Sequence, residues 1–199
     1  MPLTTTGKNN LISVTSYTHI GAYTDLGATE TSGGSYARQA ITWAAAASGA
    51  RAHSGTLTIP INAGQTIQTI GVWDALTVGV SQGFFQMGST IRAVGTVDST
   101  TDTFSSNGHG LTTDDRVFFT GPAGEALVTG LSATTLYFVR ATGLTANAFT
   151  VALTSGGSAV DVTLTGEFAV FRTIPQTFAV SGNLVLTVGQ LSIDINGLG

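Results

Sequence analysis

Apolar residues recur at every second position in short runs along this chain, the period of a strand with one buried face. Leu57, Ile59 and Ile61 alternate with Thr56, Thr58 and Pro60, and Leu76, Val78 and Val80 alternate with Thr77 and Gly79. Leu184, Leu186 and Val188 repeat the pattern, as do Leu191, Ile193 and Ile195. Turn residues separate the runs: Gly33-Gly34, Asn107-Gly108, Gly156-Gly157, Ser181-Gly182-Asn183 and Asn196-Gly197. Short strands punctuated in this way predict an all-β fold, a β-sandwich of jelly-roll type. One short N-terminal helix is expected over Gly7 to Thr15, capped by Thr5 or Thr6. Ala44 to Ala47 has helical propensity, but it follows a stretch from Tyr36 to Trp43 that contains β-branched and aromatic residues, so a strand is expected there instead.

The texture changes near Val97. From there to about Glu167 the chain is richer in Asp, Thr and Phe, with compact strand-like pieces at Asp102 to Ser105, Arg116 to Thr120, Leu136 to Ala141, Ala148 to Leu153 and Val160 to Leu164. This reads as a small β domain, residues 97–167, inserted into an outer β-sandwich made of residues 1–96 and 168–199. A loop whose ends lie close together on a surface tolerates such an insertion.

Composition changes the picture in one respect. Only 9% of the 199 residues are charged, against roughly 25% in an ordinary soluble domain. Polar positions are filled instead by Thr, Ser, Gly and Asn, so little charge repulsion keeps copies apart, and the chain reads as a part to be packed against neighbours. A net charge of -4, a single lysine (Lys8) and scattered arginines (Arg38, Arg51, Arg92, Arg116, Arg140, Arg172) exclude an evident phosphate-neutralising patch, so no nucleic-acid partner is expected. The absence of cysteine excludes disulfides and thiolate metal sites. Met1 to Asn10 has no apolar run, so no secretory signal is expected, and no stretch is long and apolar enough to predict a membrane span.

Two stretches carry a resemblance. Gly33-Gly34-Ser35-Tyr36-Ala37-Arg38-Gln39-Ala40-Ile41-Thr42-Trp43, followed by Gly71-Val72-Trp73-Asp74-Ala75, resembles small tail-fibre-like virion structural proteins of tailed bacteriophages. In those proteins an opening like Thr5-Thr6-Gly7-Lys8-Asn9 precedes a short helix, and a strand like Leu184 to Ile195 closes the chain. The insert is similar to a β module repeated in phage tail, fibre and other virion proteins. The residues that carry this likeness are Asp102-Thr103-Phe104, then His109 to Phe119, then Leu136-Tyr137-Phe138-Val139 and Asn147-Ala148-Phe149-Thr150-Val151. The resemblance implies a virion component made in the host cytoplasm.

Read physically, Gly33 and Gly34 suit a turn of positive φ, and Arg38 is expected to pair with a carboxylate or a backbone carbonyl. Trp43 and Trp73 are expected as core anchors. His109-Gly110-Leu111 is expected as a tight turn, with Asp114-Asp115 at a solvent-facing bend. No nucleophile elbow, His-Glu-x-x-His, phosphate loop or EF-hand pattern occurs. His19, His53 and His109 lack metal-ligand spacing, and adjacent Asp114 and Asp115 would face opposite sides of a strand. Asp98, Asp102 and Asp161 are the carboxylates a cation would use with nearby carbonyls, but ordinary solvated loops account for them. No catalytic, cofactor-binding or metal residue is therefore expected, and no cofactor.

The leading expectation is a non-enzymatic virion structural protein that self-associates, as a trimer by analogy, and docks onto other virion proteins. A tail- or fibre-associated position is favoured over capsid decoration. Another class is a host-glycan-binding module using Tyr137 or Phe85 as a stacking platform. A third, a hydrolase of cell-wall polymer, lacks a carboxylate pair.

Overall fold

The computed structural model describes residues 4–13, 16–88, 92–122 and 125–194. Strand accounts for 40% of the chain and helix for 4%, so the all-β expectation holds. In chain order the elements begin with α1 (Thr5–Ile12), β1 (His19–Tyr23), β2 (Gln39–Ala40), β3 (Ala50–Ala52), β4 (Leu57–Ile61), β5 (Gln65–Ile67), β6 (Thr69–Trp73) and β7 (Ser81–Gln86). They continue with β8 (Arg92–Asp98), β9 (Thr103–Ser105), β10 (Arg116–Thr120), β11 (Tyr137–Val139), β12 (Ala148–Phe149) and β13 (Val151–Ala152). The last are β14 (Gly166–Thr173), β15 (Gln176–Phe178), β16 (Gly182–Leu186) and β17 (Ser192–Asp194). Two compact units contain them: Met1–Phe85 with Gln176–Gly199, and Gln86–Pro175.

The first unit holds a four-stranded sheet in the order β2-β1-β6-β7 and three two-stranded ladders, β3 with β17, β4 with β16 and β5 with β15. These ladders are nested, so the chain runs out through Ala50 to Ile67 and returns through Gln176 to Asp194 against itself. The alternation seen in the sequence decides which face is buried. Leu57, Ile59 and Ile61 are buried, and the antiparallel register sets Leu184 opposite Ile59 and Leu186 opposite Leu57, both buried too. On β1 and β6, Ile20, Ala22, Ile70 and Val72 are buried.

Helix α1 begins earlier than expected. Thr4 caps it, its side-chain oxygen accepting from the Gly7 N–H at 3.1 Å, as a hydroxyl at that position does for one of the unpaired N–H groups of a first turn. The expected end at Thr15 lies outside the described residues. Ala44 to Ala47 does not form the expected continuous strand. Only Gln39–Ala40, an isolated bridge from Trp43 to His53 and another from Ala47 to Ala50 appear, because Ser48 and Gly49 both take positive φ and turn the chain back at once. The expected strand through Leu76, Val78 and Val80 is instead an exposed loop between β6 and β7. Val188 lies exposed beyond β16, and Ile195 with the Asn196-Gly197 turn lies outside the described residues.

The second unit is a seven-stranded sheet in the order β12-β9-β8-β14-β10-β11-β13. Its two ends are halves of one segment, Ala148 to Ala152. Ala148 and Phe149 pair with β9, Val151 and Ala152 pair with β11, and the sheet thereby curls into a ring. Inside lie Val97, Phe104, Val117, Phe119, Tyr137, Val139, Phe149, Val151, Phe168 and Val170, all fully buried. Phe104 packs against Phe119, Phe149 and Phe168 with ring centroids 4.9–5.2 Å apart. The expected strand at Val160 to Leu164 makes no ladder. Val162 fills the core while Leu164 is exposed, and the Val162 N–H is taken by the Asp102 carboxylate at 2.8 Å.

The sequence placed the edges of the insert at 97 and 167, inside β8 and β14. These strands pair with each other from Gly166 opposite Val97 to Phe171 opposite Arg92, which draws both into one unit and moves its edges outward to Gln86 and Pro175. The chain enters and leaves it side by side, with the Ile174 N–H donating to the Met87 carbonyl at 2.8 Å.

Candidate functional site

A pair of facing glycines prepares a polar cluster on the first unit's four-stranded sheet. Gly21 on β1 lies opposite Gly71 on β6, so the face they share with Tyr23 and Trp73 has no side chain at its middle. A β-carbon at Gly71 would run into the Tyr23 ring, and one at Gly21 would collide with Glu30 Oε1 and the Tyr36 hydroxyl. Into the space fall Tyr23, stacked on Trp73 with centroids 6.2 Å apart, and a carboxylate–phenol–guanidinium cluster.

Glu30 is its centre. It accepts from the Tyr36 hydroxyl at 2.6 Å, from Arg38 Nε at 2.8 Å and from a terminal Arg38 nitrogen at 2.7 Å, a two-point fork that suits a planar guanidinium. The other terminal nitrogen of Arg38 donates to the carbonyls of Ala75 at 3.1 Å and Val78 at 2.8 Å. The guanidinium carbon lies 3.3 Å from the centre of the Trp73 ring, a cation–π contact. Tyr36 in turn accepts from the Ala22 N–H at 3.0 Å.

The electrostatics follow the geometry. Burial alone would raise the Glu30 carboxyl, but the hydrogen bonds from Arg38 and Tyr36 and the charge of Arg38 outweigh it and hold the group below the ordinary carboxylate range. Burial pushes the Tyr36 hydroxyl upward, and its bond to Glu30 adds to that. The hydrogen bond to Glu30 raises Arg38 further above its usual value. The cluster is thus a fully ionised pair whose hydrogen-bonding capacity is largely spent on the protein itself. It is built to clamp.

The clamped object is the loop Asp74 to Val80. Besides the two bonds from Arg38, Asp74 Oδ1 accepts from the Val80 N–H at 2.7 Å, and the Asp74 N–H donates to the Val80 carbonyl at 3.3 Å. Leu76, Val78 and Val80 are 51%, 88% and 62% exposed. Val78 has φ +60°, a left-handed conformation that a β-branched residue adopts only under constraint. A groove of about 500 Å³ runs between this loop and the cluster, walled by Glu30, Tyr36 and Arg38 on one side and Leu76, Thr77 and Val78 on the other.

Other residues named from the sequence take different places. Arg38 meets both kinds of partner expected of it. Gly33 and Gly34 have positive φ. Trp43 and Trp73 are half-buried supports for arginines and not core anchors: Arg51 lies over Trp43 at 4.9 Å, as Arg38 lies over Trp73. Their ring faces are large enough to cover a cation while one edge stays wet. Tyr137 is buried in the ring of the second unit, its hydroxyl accepting from the Ser132 N–H at 2.8 Å, and so offers no stacking platform. Phe85 is half-buried beside a cleft of about 140 Å³ that Tyr17 and Phe84 also line.

His53 and His109 are buried in different units, each accepting a backbone N–H at Nδ1, from Leu191 at 3.1 Å and from Leu111 at 3.0 Å. The His109 turn is tight, with Gly110 at φ +67°. Asp114 is exposed and accepts from Ser155, whereas Asp115 is half-buried and pairs with Arg172 at 3.3 Å. Asp98 and Asp102 are occupied as acceptors for backbone N–H groups. Among the described residues no three His, Asp or Glu side chains converge as a metal site. Sequence reasoning missed Glu30. The signal was the scarcity of charge: between Leu26 and Trp73, Glu30 is the only carboxylate available to Arg38.

Residues 11–114, just over half of the chain, match the family described as podophage GP4 fiber I protein gp80. The chain belongs to that family. No curated protein and no solved structure matches it. The fibre family makes this a structural component of a phage virion, in line with the resemblance carried by Gly33 to Trp43 and Gly71 to Ala75. The matched span contains Glu30, Arg38, Trp73 and the clamped loop of this fibre-family protein.

Proposed function

We propose that this fibre-family chain is a non-enzymatic building block that associates with copies of itself, as a trimer, and docks onto other virion proteins at a tail- or fibre-associated position. It is made in the host cytoplasm and acts by contact alone, burial of apolar area holding the contacts. The observation that carries this reading is the apolar surface of the first unit. Leu76, Val78, Val80 and Phe84 are exposed within nine positions of each other, and Val180, Val185 and Val188 are exposed on the returning limb, in a chain with 9% charged residues. Exposed apolar area on this scale is what an interface uses. The fibre family supports the tail-side position over capsid decoration.

Sedimentation velocity of the purified chain tests the association, and a single trimeric species is the expected result. Labelled protein added to particles lacking it is expected to appear on the tail or fibre in a reconstruction. A monodisperse monomer at high concentration that fails to bind such particles overturns the reading. Attachment to the head lattice replaces the tail position by decoration.

A further inference from the structure

The loop between β6 and β7 sets local sequence preference against observed conformation. Leu76-Thr77-Val78-Gly79-Val80 has the alternation of a strand, and Val78, β-branched, prefers extended backbone. The structure holds it folded, with Val78 left-handed at φ +60° and 88% exposed. A left-handed β-branched residue is strained, and no apolar burial of its side chain offsets that. What holds the loop is polar: the Arg38 bonds to the Ala75 and Val78 carbonyls, and the Asp74 side chain on the Val80 N–H. Beneath it, the Trp73 indole N–H is buried without a hydrogen-bond partner among the described residues.

We propose that Asp74 to Val80 is a strained strap over the groove, latched by Arg38 and Asp74, with a second, released state in which Val78 returns to extended backbone. Two packings of one segment separated by a small free-energy gap make such an element bistable. Leu76, Thr77 and Val78 form one wall of the groove, so release opens it and uncovers the guanidinium that sits on Trp73. Glu30 keeps Arg38 aimed at the carbonyls and Tyr36 keeps Glu30 aimed at Arg38. The latch therefore reports to the sheet through three side chains.

Amide hydrogen exchange and limited proteolysis of the full chain test this, with tryptophan fluorescence to confirm folding. Asp74→Ala removes one catch without touching the Glu30–Arg38 pair, and is expected to speed exchange of the Val80 amide and cleavage between Leu76 and Val80 by about ten-fold, as loss of one hydrogen bond to a charged acceptor does. Val78→Gly acts in the opposite direction. It removes the left-handed strain and is expected to slow opening by about five-fold, although it deletes a side chain. Arg38→Lys keeps the charge but not the fork, and is expected to open the strap most. Exchange and cleavage unchanged in Asp74→Ala, or faster in Val78→Gly, would overturn the proposal.

Discussion

The two units of this chain solve the same problem, stabilising a β fold with few charges, in different ways. The second closes its sheet into a ring around four fully buried phenylalanines, so its stability comes from aromatic burial that surrounds every core residue. The first divides its strands among one four-stranded sheet and three two-stranded ladders, and spends a guanidinium, a carboxylate and a phenol on holding a single exposed loop. Burial is non-directional and insensitive to pH, whereas a charged hydrogen-bonded cluster is directional and titrates. The contrast is open to direct measurement because both tryptophans, Trp43 and Trp73, belong to the first unit. Tryptophan fluorescence reports that unit, and exchange of Phe119 or Val170 amides reports the other.

The largest effect is expected from Phe104→Ala. It opens a cavity at the centre of the aromatic cluster and is expected to cost the second unit about 3–5 kcal/mol in denaturant unfolding, read as lost exchange protection of Val117 to Phe119. A smaller loss would mean that the ring collapses to fill the space. Glu30→Gln is expected to destabilise the first unit by about 2 kcal/mol, since hydrogen bonds to charged partners are the stronger ones, seen as an earlier tryptophan transition with the second unit unchanged. A shift in both units would erase the distinction drawn between them.

The pH dependence is smaller and has a definite sign. The Glu30 carboxyl is held low, so the stability it contributes is present above its unfolded-state value and is lost as pH falls through its lower folded-state value. Asp25 acts in the same direction: burial opposes its ionisation, but hydrogen bonds from Thr29, Ala28 and Gly27 outweigh it. The tryptophan transition is therefore expected to weaken once pH drops below the ordinary carboxylate range, and Glu30→Gln to flatten that decline. A Glu30→Gln curve parallel to the parent would show that the cluster does not set it. The smallest effect is expected from Asp102→Ala, which frees the Val162 N–H in the second unit at about 1 kcal/mol, measured by exchange at that amide.

What was legible in the sequence follows the same division. Leu57 to Ile61 and Leu184 to Leu186 read correctly because a strand with one buried face needs only a period of two to be recognised. Arg116 to Thr120 read correctly for a different reason: Val117-Phe118-Phe119 is a short continuous apolar run, and all three are buried. Leu76 to Val80 has that period too, yet Arg38, nearly forty residues earlier, overrides it through two carbonyls, and no local pattern encodes a bond from a distant side chain. Val162 and the pairing of β8 with β14 were missed because both depend on partners some sixty to eighty positions away in the chain. Of the cluster, Arg38 and Tyr36 were marked by the motif they sit in, and Glu30 became visible only when its partner Arg38 was placed.

The nested ladders bear on the order in which this polypeptide matures on the ribosome. β3, β4 and β5 emerge early but find their mates β17, β16 and β15 only after the whole of Gln86 to Pro175 has been synthesised. Every strand of the ring, by contrast, has its partners within that middle stretch. The middle of the message thus holds a complete set of partners before its beginning does: once Pro175 has cleared the ribosome every strand of the ring can pair, while β3, β4 and β5 still await the returning limb.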